Sequence, residues 1–170
     1  MAGVAEAAIP ILLVVQGAMG GVDTLLNHEL IERLPRRTSA RREIGWHAVR
    51  ELIYASLFAG LAWFEWHGLA ALAIAWLLAV EICVTVADEY IENRTRVLPQ
   101  NERVLHVFLT LNLGLLIAAL GPTLWEWGQM PTRLLPAGNG ALAWVLSALS
   151  AGALAWSIRD AWAWRRLGRR

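Results

Sequence analysis

The chain has 170 residues, a formal net charge of +1 and a hydrophobic fraction of 57%. Its mean hydropathy of +0.46 is too high for an ordinary water-soluble domain and indicates an integral membrane protein. The charge is nearly balanced, and no basic patch is interleaved with aromatic residues, so no nucleic-acid partner is expected. The lipid bilayer is therefore the first partner that the sequence predicts.

Five apolar segments follow one another along the chain, each close to the roughly 20 residues that cross a hydrocarbon core about 30 Å thick. In lipid such segments are expected to be helical, because a helix pairs its own backbone polar groups. The predicted helices span about residues 4–34, 44–66, 69–93, 102–125 and 141–164. The sequence thus predicts an all-α fold, a polytopic bundle of five transmembrane helices in which residues 1–170 form a single membrane domain.

The arginines predict how these helices are oriented. Five lie in the first loop, three in or beside the third loop and five after residue 158, whereas the turn at residues 66–68 has none and the fourth loop has only Arg133. Because cytoplasmic loops are enriched in basic residues, we expect the N-terminus outside and the C-terminus in the cytoplasm. Tryptophans near both ends of the segments fit the aromatic belts of a multi-pass protein of the bacterial inner (plasma) membrane.

Acidic residues and histidines gather at the predicted cytoplasmic ends of the first four helices. Glu43, His47 and Glu51 are spaced i, i+4 and i+8, which places them on one stripe of a helix. An ionised side chain within a bilayer costs roughly 2.5–3.5 kcal/mol, so a cluster of them needs a compensating charge, and bound cations are its simplest source. The predicted metal ligands are His28, Glu29, His47, Glu51, Glu81, Asp88, Glu92 and His106, with Glu32, Glu43 and Glu102 as further candidates.

The depth of these residues can be compared along the second and third helices, which are expected to form a hairpin about Gly68. Counting equal distances back from that turn places His47 beside Asp88, and Glu81 about one turn deeper than Glu51. Glu81 is then either a deeper ligand or a partner of the ligands. The residues expected to contact one metal cluster directly are His47, Glu51, Asp88 and His106, completed by Glu92 and by Glu29 or His28.

A weak internal repeat relates the two halves of this cluster. The segment His28-Glu-Leu-Ile-Glu32 matches Asp88-Glu-Tyr-Ile-Glu92. Each is followed by an Arg/Leu-Pro turn and then by Glu-x-x-x-His, at Glu43 to His47 and at Glu102 to His106. Two such hairpins predict a pseudo-twofold site that suits two metal ions bridged by carboxylates. Asp23 and Glu89 belong to the same polar cluster but are not counted among the ligands.

In this layout the chain resembles the ferritin-like di-iron carboxylate four-helix bundles, in which two helices each give a Glu and two give Glu-x-x-His. The resemblance covers about residues 23–110, and the spacing here is Glu-x-x-x-His instead. It implies a metal-binding bundle of four helices with two divalent metal ions. The chain also resembles small bacterial membrane proteins of uncharacterised function that carry the same Asn-His-Glu and Arg-Leu-Pro segments.

Mixed carboxylate and imidazole ligands suit iron, zinc or manganese, and the resemblance favours iron. With iron, the expected activity is that of an oxidoreductase acting on a lipid or quinone-like substrate from the inner leaflet. The alternatives are a metal ion or proton transporter, a zinc-dependent membrane hydrolase, and a structural subunit whose charges pair with a partner helix. The sequence leaves the catalytic residues and the oligomeric state open, a homo-oligomer included.

The arginine distribution makes a prediction about topology. A reporter fused after Met130 should be periplasmic, and one fused after Thr38 should be cytoplasmic, because the basic loops stay inside. Paired alkaline phosphatase and green fluorescent protein fusions at both positions measure this. The opposite pattern of activities would contradict both the orientation and the cytoplasmic placement of the acidic cluster.

Overall fold

The computed structural model describes residues 2–169, and its helical content of 85% confirms the predicted all-α class. Five long helices form it. Their bounds are α1 Ala2–Val22, α2 Arg41–Trp63, α3 Ala71–Thr95, α4 Gln100–Gly128 and α5 Ala141–Leu167. The ends at which α2 and α4 begin and α3 finishes lie together, and this end of the bundle is called the acidic end below.

Four helical segments are long and apolar enough to cross a membrane: Ala7–Ile31, Gly68–Thr95, Gln100–Gly128 and Ala141–Leu167. The helix α2 is not among them, so length and composition support four of the five predicted spans. The reason lies in its first half, where Arg41, Arg42, Glu43, Arg50 and Glu51 interrupt the apolar sequence. These charges are tolerated because α2 packs between α3 and α5 instead of standing alone.

An apolar core fills the bundle beyond the charged residues. Leu13, Leu57, Leu116 and Leu146 are fully buried there, one from each of α1, α2, α4 and α5. The outer faces of the same helices carry large exposed apolar side chains, including Trp144 and Ile158 on α5. Such a wide apolar surface is what a lipid-facing bundle presents.

The predicted first helix, residues 4–34, does not continue as a regular α-helix. Residues Asp23–Ile31 form a π-helix, and the Glu32 amide donates to the Asn27 carbonyl at 2.8 Å, five residues back. Arg33 then takes a left-handed conformation with φ 52°, which ends the helix. Two short 3₁₀ turns, Leu34–Arg36 and Thr38–Ala40, lead from there to α2.

The predicted second helix, residues 44–66, ends three residues early. After Trp63 the chain forms a strand, β1 Phe64–His67, which pairs antiparallel with β2 Arg133–Pro136 in the α4–α5 connection. Gly68 follows with φ +61°, and a Cβ there would approach the Thr132 backbone to 2.6 Å. Only glycine fits this combination of positive φ and close approach, so the turn into α3 depends on it.

A chain of hydrogen bonds joins three helices within the apolar core. The Asn112 amide nitrogen donates to the Gln16 side chain at 2.7 Å and to the Leu12 carbonyl at 3.0 Å. The Gln16 amide nitrogen in turn donates to the Tyr54 hydroxyl at 3.0 Å, which links α1 to α2. Gln16 and Asn112 are buried, so these bonds replace water.

This network predicts that Asn112→Leu lowers the free energy of unfolding by about 1–2 kcal/mol, the range of interhelical hydrogen bonds in membrane helices. Thermal unfolding in detergent micelles measures it. Ser56→Ala is the control, because the Ser56 hydroxyl bonds only the Leu52 carbonyl of its own helix. Equal melting temperatures for Asn112→Leu and the unmodified protein would contradict the prediction.

Candidate metal centre

The π-helix determines which side chains α1 delivers to the acidic end. Asp23 and His28 are five residues apart, which separates them by about 140° around a regular α-helix. In the wider π-helix both face inward, and the His28 Nε2 atom lies 3.4 Å from the Asp23 carboxylate. This helix therefore contributes a carboxylate and an imidazole to one group, as is often seen where a π-helix forms part of a functional site.

A first group of possible metal ligands combines the π-helix with the start of α4. Its four members, Asp23, His28, Glu102 and His106, each offer a ligand atom within 4.8 Å of the others. His28 Nε2 lies 3.4 Å from Glu102 Oε1, and His106 Nε2 lies 3.3 Å from Asp23 Oδ2. Three of the four side chains are buried, and His106 is partly buried.

A second group joins α2 and α3 to the same histidine. Its members are His28, His47 and Glu92, all buried. His47 Nε2 lies 3.1 Å from Asp88 Oδ2 and 3.5 Å from Glu92 Oε1. The pairing of His47 with Asp88 is the one that the hairpin geometry predicts. The rings of His28 and His47 stack with their centroids 4.3 Å apart, so the two groups are in direct contact.

A third group, Glu89, Glu92 and His106, closes the arrangement. His106 belongs to two groups through its two ring nitrogens. Its Nε2 faces Asp23, while its Nδ1 lies 3.5 Å from Glu92 Oε2 and 3.6 Å from Glu89 Oε2. Since His28, Glu92 and His106 are each shared, the three groups form one continuous centre of imidazoles and carboxylates.

Several ligand atoms of this centre are buried without a hydrogen-bond partner. They include Nε2 of His28 and of His47, and both oxygens of Asp88 and of Glu92. Their close neighbours are the other side chains of the centre and the two arginines Arg50 and Arg96, at 2.9–3.5 Å, so the carboxylate oxygens keep lone pairs that a cation can take. The donor set is also the one that divalent transition metals take. The buried clusters can therefore hold metal ions, and the residues present fit that group.

Two arginines bind the remaining carboxylates. The Arg96 guanidinium donates to Glu43 at 2.8 Å and to Glu102 at 2.8 Å. Burial lowers the pKa of Arg96, but the hydrogen bonds with Glu102 and Glu43 outweigh that effect and raise its pKa above the ordinary value. Deeper in the bundle, Arg50 lies 2.9 Å from Asp88 and 3.6 Å from Glu81. Each arginine thus neutralises carboxylates at the edge of the centre.

The internal repeat is only partly reflected in these contacts. Glu43 and Glu102, which occupy equivalent positions in the two hairpins, both bind Arg96. Glu32 and Glu92 are also equivalent, yet Glu92 lies in the centre whereas Glu32 pairs with Arg37 at 2.6 Å on the outside. The difference follows from the π-helix at Asp23–Ile31 and the left-handed residue Arg33, which direct the chain at Glu32 away from the centre.

Some predicted ligands lie apart from the three groups. Glu29 pairs with Arg159 of α5, and Glu51 lies near Asp160 of the same helix. The drift of about 40° for each four-residue step explains Glu51, because a position one turn beyond His47 already points toward the next helix. Glu81 contacts Arg50 and accepts a hydrogen bond from Thr85 at 3.1 Å, which places it behind Asp88.

Asp23 and Glu89 are the ligand-type residues that the sequence prediction left out, and Asp23 is the buried one of the two. A spacing of five residues would place Asp23 and His28 on different faces of an α-helix, and the π-helix brings both to the same face. The sequence did mark Asp23 as a candidate, because an acid within an apolar segment needs a partner. Its carboxylate accepts from Asn27 at 2.7 Å, and the Asn27 oxygen accepts from Asn101 at 2.6 Å, so two asparagines hold Asp23 in its orientation.

A cavity of about 320 Å³ opens beside the centre, and His28, His47, Asp88 and Glu92 form part of its wall. It continues between the helices toward the apolar core, so the centre has access to space large enough for a small ligand. No protein family, curated protein or solved structure matches the chain. Its function is therefore inferred from the chemistry of these residues.

The contacts of Arg96 predict a large effect on stability. Arg96→Met should lower the free energy of unfolding by about 3–5 kcal/mol, because it leaves Glu43 and Glu102 buried without their cation. Arg37→Met is the matched control, since its pair with Glu32 is half exposed and worth at most about 1 kcal/mol. Chemical unfolding of both variants in micelles measures the difference. Similar losses in the two would show that burial of the pair is not what matters.

Proposed function

We propose that this protein is a multi-pass membrane protein whose acidic end holds two divalent metal ions in a centre of carboxylates and imidazoles. The proposed activity is metal-dependent redox chemistry on a lipid or quinone-like substrate. The observation that carries the proposal is the set of ligand-type side chains, most of them buried, that converge from the π-helix, α2, α3 and α4 with their ligand atoms within 4.8 Å of one another in each group. The orientation proposed for it is N-terminus outside, with the centre in the cytoplasmic half.

The charge balance supports two ions. Six carboxylates at the acidic end are buried, with 4% exposure or less. They are Asp23, Glu43, Glu81, Asp88, Glu92 and Glu102. If all six are ionised, Arg50 and Arg96 balance two of them among the described side chains of the centre, which leaves an excess of four negative charges. Two divalent cations would offset that excess. Protonation of the histidines and of buried carboxylates is the competing explanation, and metal analysis separates the two.

The three groups suggest how the chain would hold the ions. Asp23, His28, Glu102 and His106 would hold one, and His47 with Glu92 and Asp88 the other. The second ring nitrogen of His106 faces Glu92, and a carboxylate in that position orients a metal-binding imidazole and raises its basicity. Glu92 would link the two sites, since one of its oxygens lies 3.5 Å from His47 Nε2 and the other 3.5 Å from His106 Nδ1, and the stacked rings of His28 and His47 keep the sites adjacent.

The resemblance to ferritin-like di-iron bundles, with two similar hairpins around a pseudo-twofold site, favours iron. When bound, iron would supply reactivity toward O₂ or one-electron redox chemistry. The chain's own residues have separate roles. Arg96 and Arg50 position the carboxylates, Asn27 and Asn101 orient Asp23, and the leucine core excludes water from the other half of the bundle.

Transport is the competing function, and one observation weighs against it. The polar contacts that begin at Asp88 continue through Arg50 and Glu81 and end at Gln16 and Asn112. Past that level, the core cluster of the described residues is apolar and includes Leu13, Leu57, Leu116, Leu120 and Leu146. The buried Thr123 hydroxyl there donates to the Ala119 carbonyl of its own helix. An ion path across the bundle would need polar groups there.

The proposal predicts about two divalent ions per chain after loading with Fe²⁺, Mn²⁺ or Zn²⁺, as the mixed donor set requires. His47→Ala and Asp23→Asn should each reduce the bound metal and lower the melting temperature of the loaded protein, because metal bound to the folded state adds stability. Elemental analysis and thermal unfolding in micelles measure both quantities.

His67→Ala is the control for these variants. His67 is also a buried histidine, but it lies in β1 and contacts Glu65 at 3.0 Å, at the other end of the bundle. Its metal content should equal that of the unmodified protein. If the unmodified protein binds no metal under any of the three conditions, the centre is a network of carboxylates and protonated histidines, and a structural role replaces the proposed activity.

A further inference from the structure

The cavity beside the metal centre has two different walls. One wall, on α2 and α3, is polar from His47 and Asp88 as far as Tyr54. The opposite wall, on α1 and α5, is made of small residues, Gly17, Gly20, Gly21, Gly152 and Ala153 among them. This cavity is called the slot. Its polar end is the metal centre, and its other end lies in the apolar core.

The slot is long and narrow. On α2 its lining runs from His47 to Phe58, which spans about 16 Å at 1.5 Å per residue. A sphere with the slot's volume of 320 Å³ would be only about 8 Å across, half of that length. Phe58, Leu113 and Leu149 line it away from the centre, so the far end is apolar.

Three glycines border the slot where it opens to the outside of the bundle. A Cβ added at Gly20, Gly21 or Gly152 would meet no atom within 4 Å, and Gly21 and Gly152 are exposed. By contrast, a Cβ at Gly17 would lie 2.8 Å from Leu149, so Gly17 allows α1 and α5 to approach each other. The slot is therefore open sideways between α1 and α5, on the surface that a bilayer would cover.

Buried carboxylates face the same space at its other end. Asp88 and Glu92 are 1% exposed, and their contacts are ion pairs with His47, His106 and the arginines. A ligand that fits the slot must therefore place a polar or metal-bound group at this end and a hydrocarbon at the other.

We propose that the slot holds the single unbranched hydrocarbon chain of a membrane amphiphile, a fatty acid or fatty alcohol, with its polar head at the metal centre and its tail beside Phe58 and Leu113. The length and narrowness of the slot favour a chain over a ring system, and the surrounding lipid supplies such chains. The role of this chain as a substrate rests on the proposed metal centre. Binding of a fatty acid rests on it too, because its carboxylate would otherwise meet the Asp88 and Glu92 carboxylates, whereas the hydroxyl of a fatty alcohol can donate to either carboxylate without a metal ion.

The experiment uses palmitic acid and palmityl alcohol that carry a photoreactive diazirine at the tail end. After irradiation of the full-length protein in nanodiscs, peptide mass spectrometry locates the adducts. Adducts are expected at residues 16–17, at Phe58 and at Leu113, and an excess of unlabelled palmitic acid should remove them. Unlabelled palmitic acid should not reduce the adducts on the outer faces of the helices, because those faces contact bulk lipid.

The test variant is Gly152→Leu, whose Cβ would meet no atom within 4 Å and whose isobutyl group is expected to occupy the slot. It should lose the competable adducts and keep the metal content and melting temperature of the unmodified protein. The matched control is Gly114→Leu on α4, where an added Cβ also meets nothing within 4 Å but which does not line the slot. This variant should keep the adducts.

Three results would overturn the proposal. One is the absence of competable adducts in the slot of the unmodified protein. The second is their persistence in Gly152→Leu. The third is competition by a short-chain quinone but not by palmitic acid or palmityl alcohol, which would favour a ring over a hydrocarbon chain. Metal analysis of the same samples separates the two proposals. Competable adducts in a protein without bound metal would support the hydrocarbon site and reject the metal centre. Bound metal without competable adducts would support the metal centre and reject the hydrocarbon site.

Discussion

Six buried carboxylates share the acidic end of the bundle with two guanidiniums, and every helix near them is arranged around that imbalance. Two like charges 4 Å apart repel by about 4 kcal/mol at an effective dielectric constant of 20. Arg96, at the end of α3, brings Glu43 of α2 and Glu102 of α4 together. The folding of this end is therefore coupled to whatever neutralises the charge that the arginines leave.

The two arginines also divide the acids into two sets. Glu43, Glu81 and Glu102 have guanidinium partners, while Glu92 and Asp23 face mainly imidazoles. Asp88 belongs to both sets, since it contacts His47 and Arg50. The arginines thus give fixed positive charge to one set of acids, whereas Asp23 and Glu92 lie among imidazoles that can bind or release a cation. Loss of a cation from Asp23 and Glu92 would leave the ion pairs of the two arginines in place.

Much of this arrangement follows from periodicity. The all-α class and the contact between His47 and Asp88 could be predicted from the length of the apolar segments and from distances along a hairpin. The inward position of Asp23 could not, because it depends on a π-helix that no spacing rule for α-helices describes. The departure of Glu51 toward Asp160 could not either, since it depends on where α5 packs.

The strands at the other end of the bundle mark a similar boundary. Phe64–His67 continues an apolar helical pattern, and its pairing with Arg133–Pro136 is a long-range contact that the local sequence does not specify. Hydropathy predicts which segments are stable as helices in lipid, but it does not predict at which residue the helix ends and a paired β-strand begins. The fold class was therefore predictable, whereas the irregular segments that shape its two ends were not.

The β1–β2 ladder also determines which end of the molecule is free to change. It ties the α2–α3 turn to the α4–α5 connection through backbone hydrogen bonds, which do not depend on ionisation. The acidic end has no such ladder between its helices in the described part of the chain. Ion pairs connect its helices, together with single hydrogen bonds such as that from Asn101 to Asn27. A change in charge is therefore expected to move the helices most at the acidic end and least where the ladder holds them.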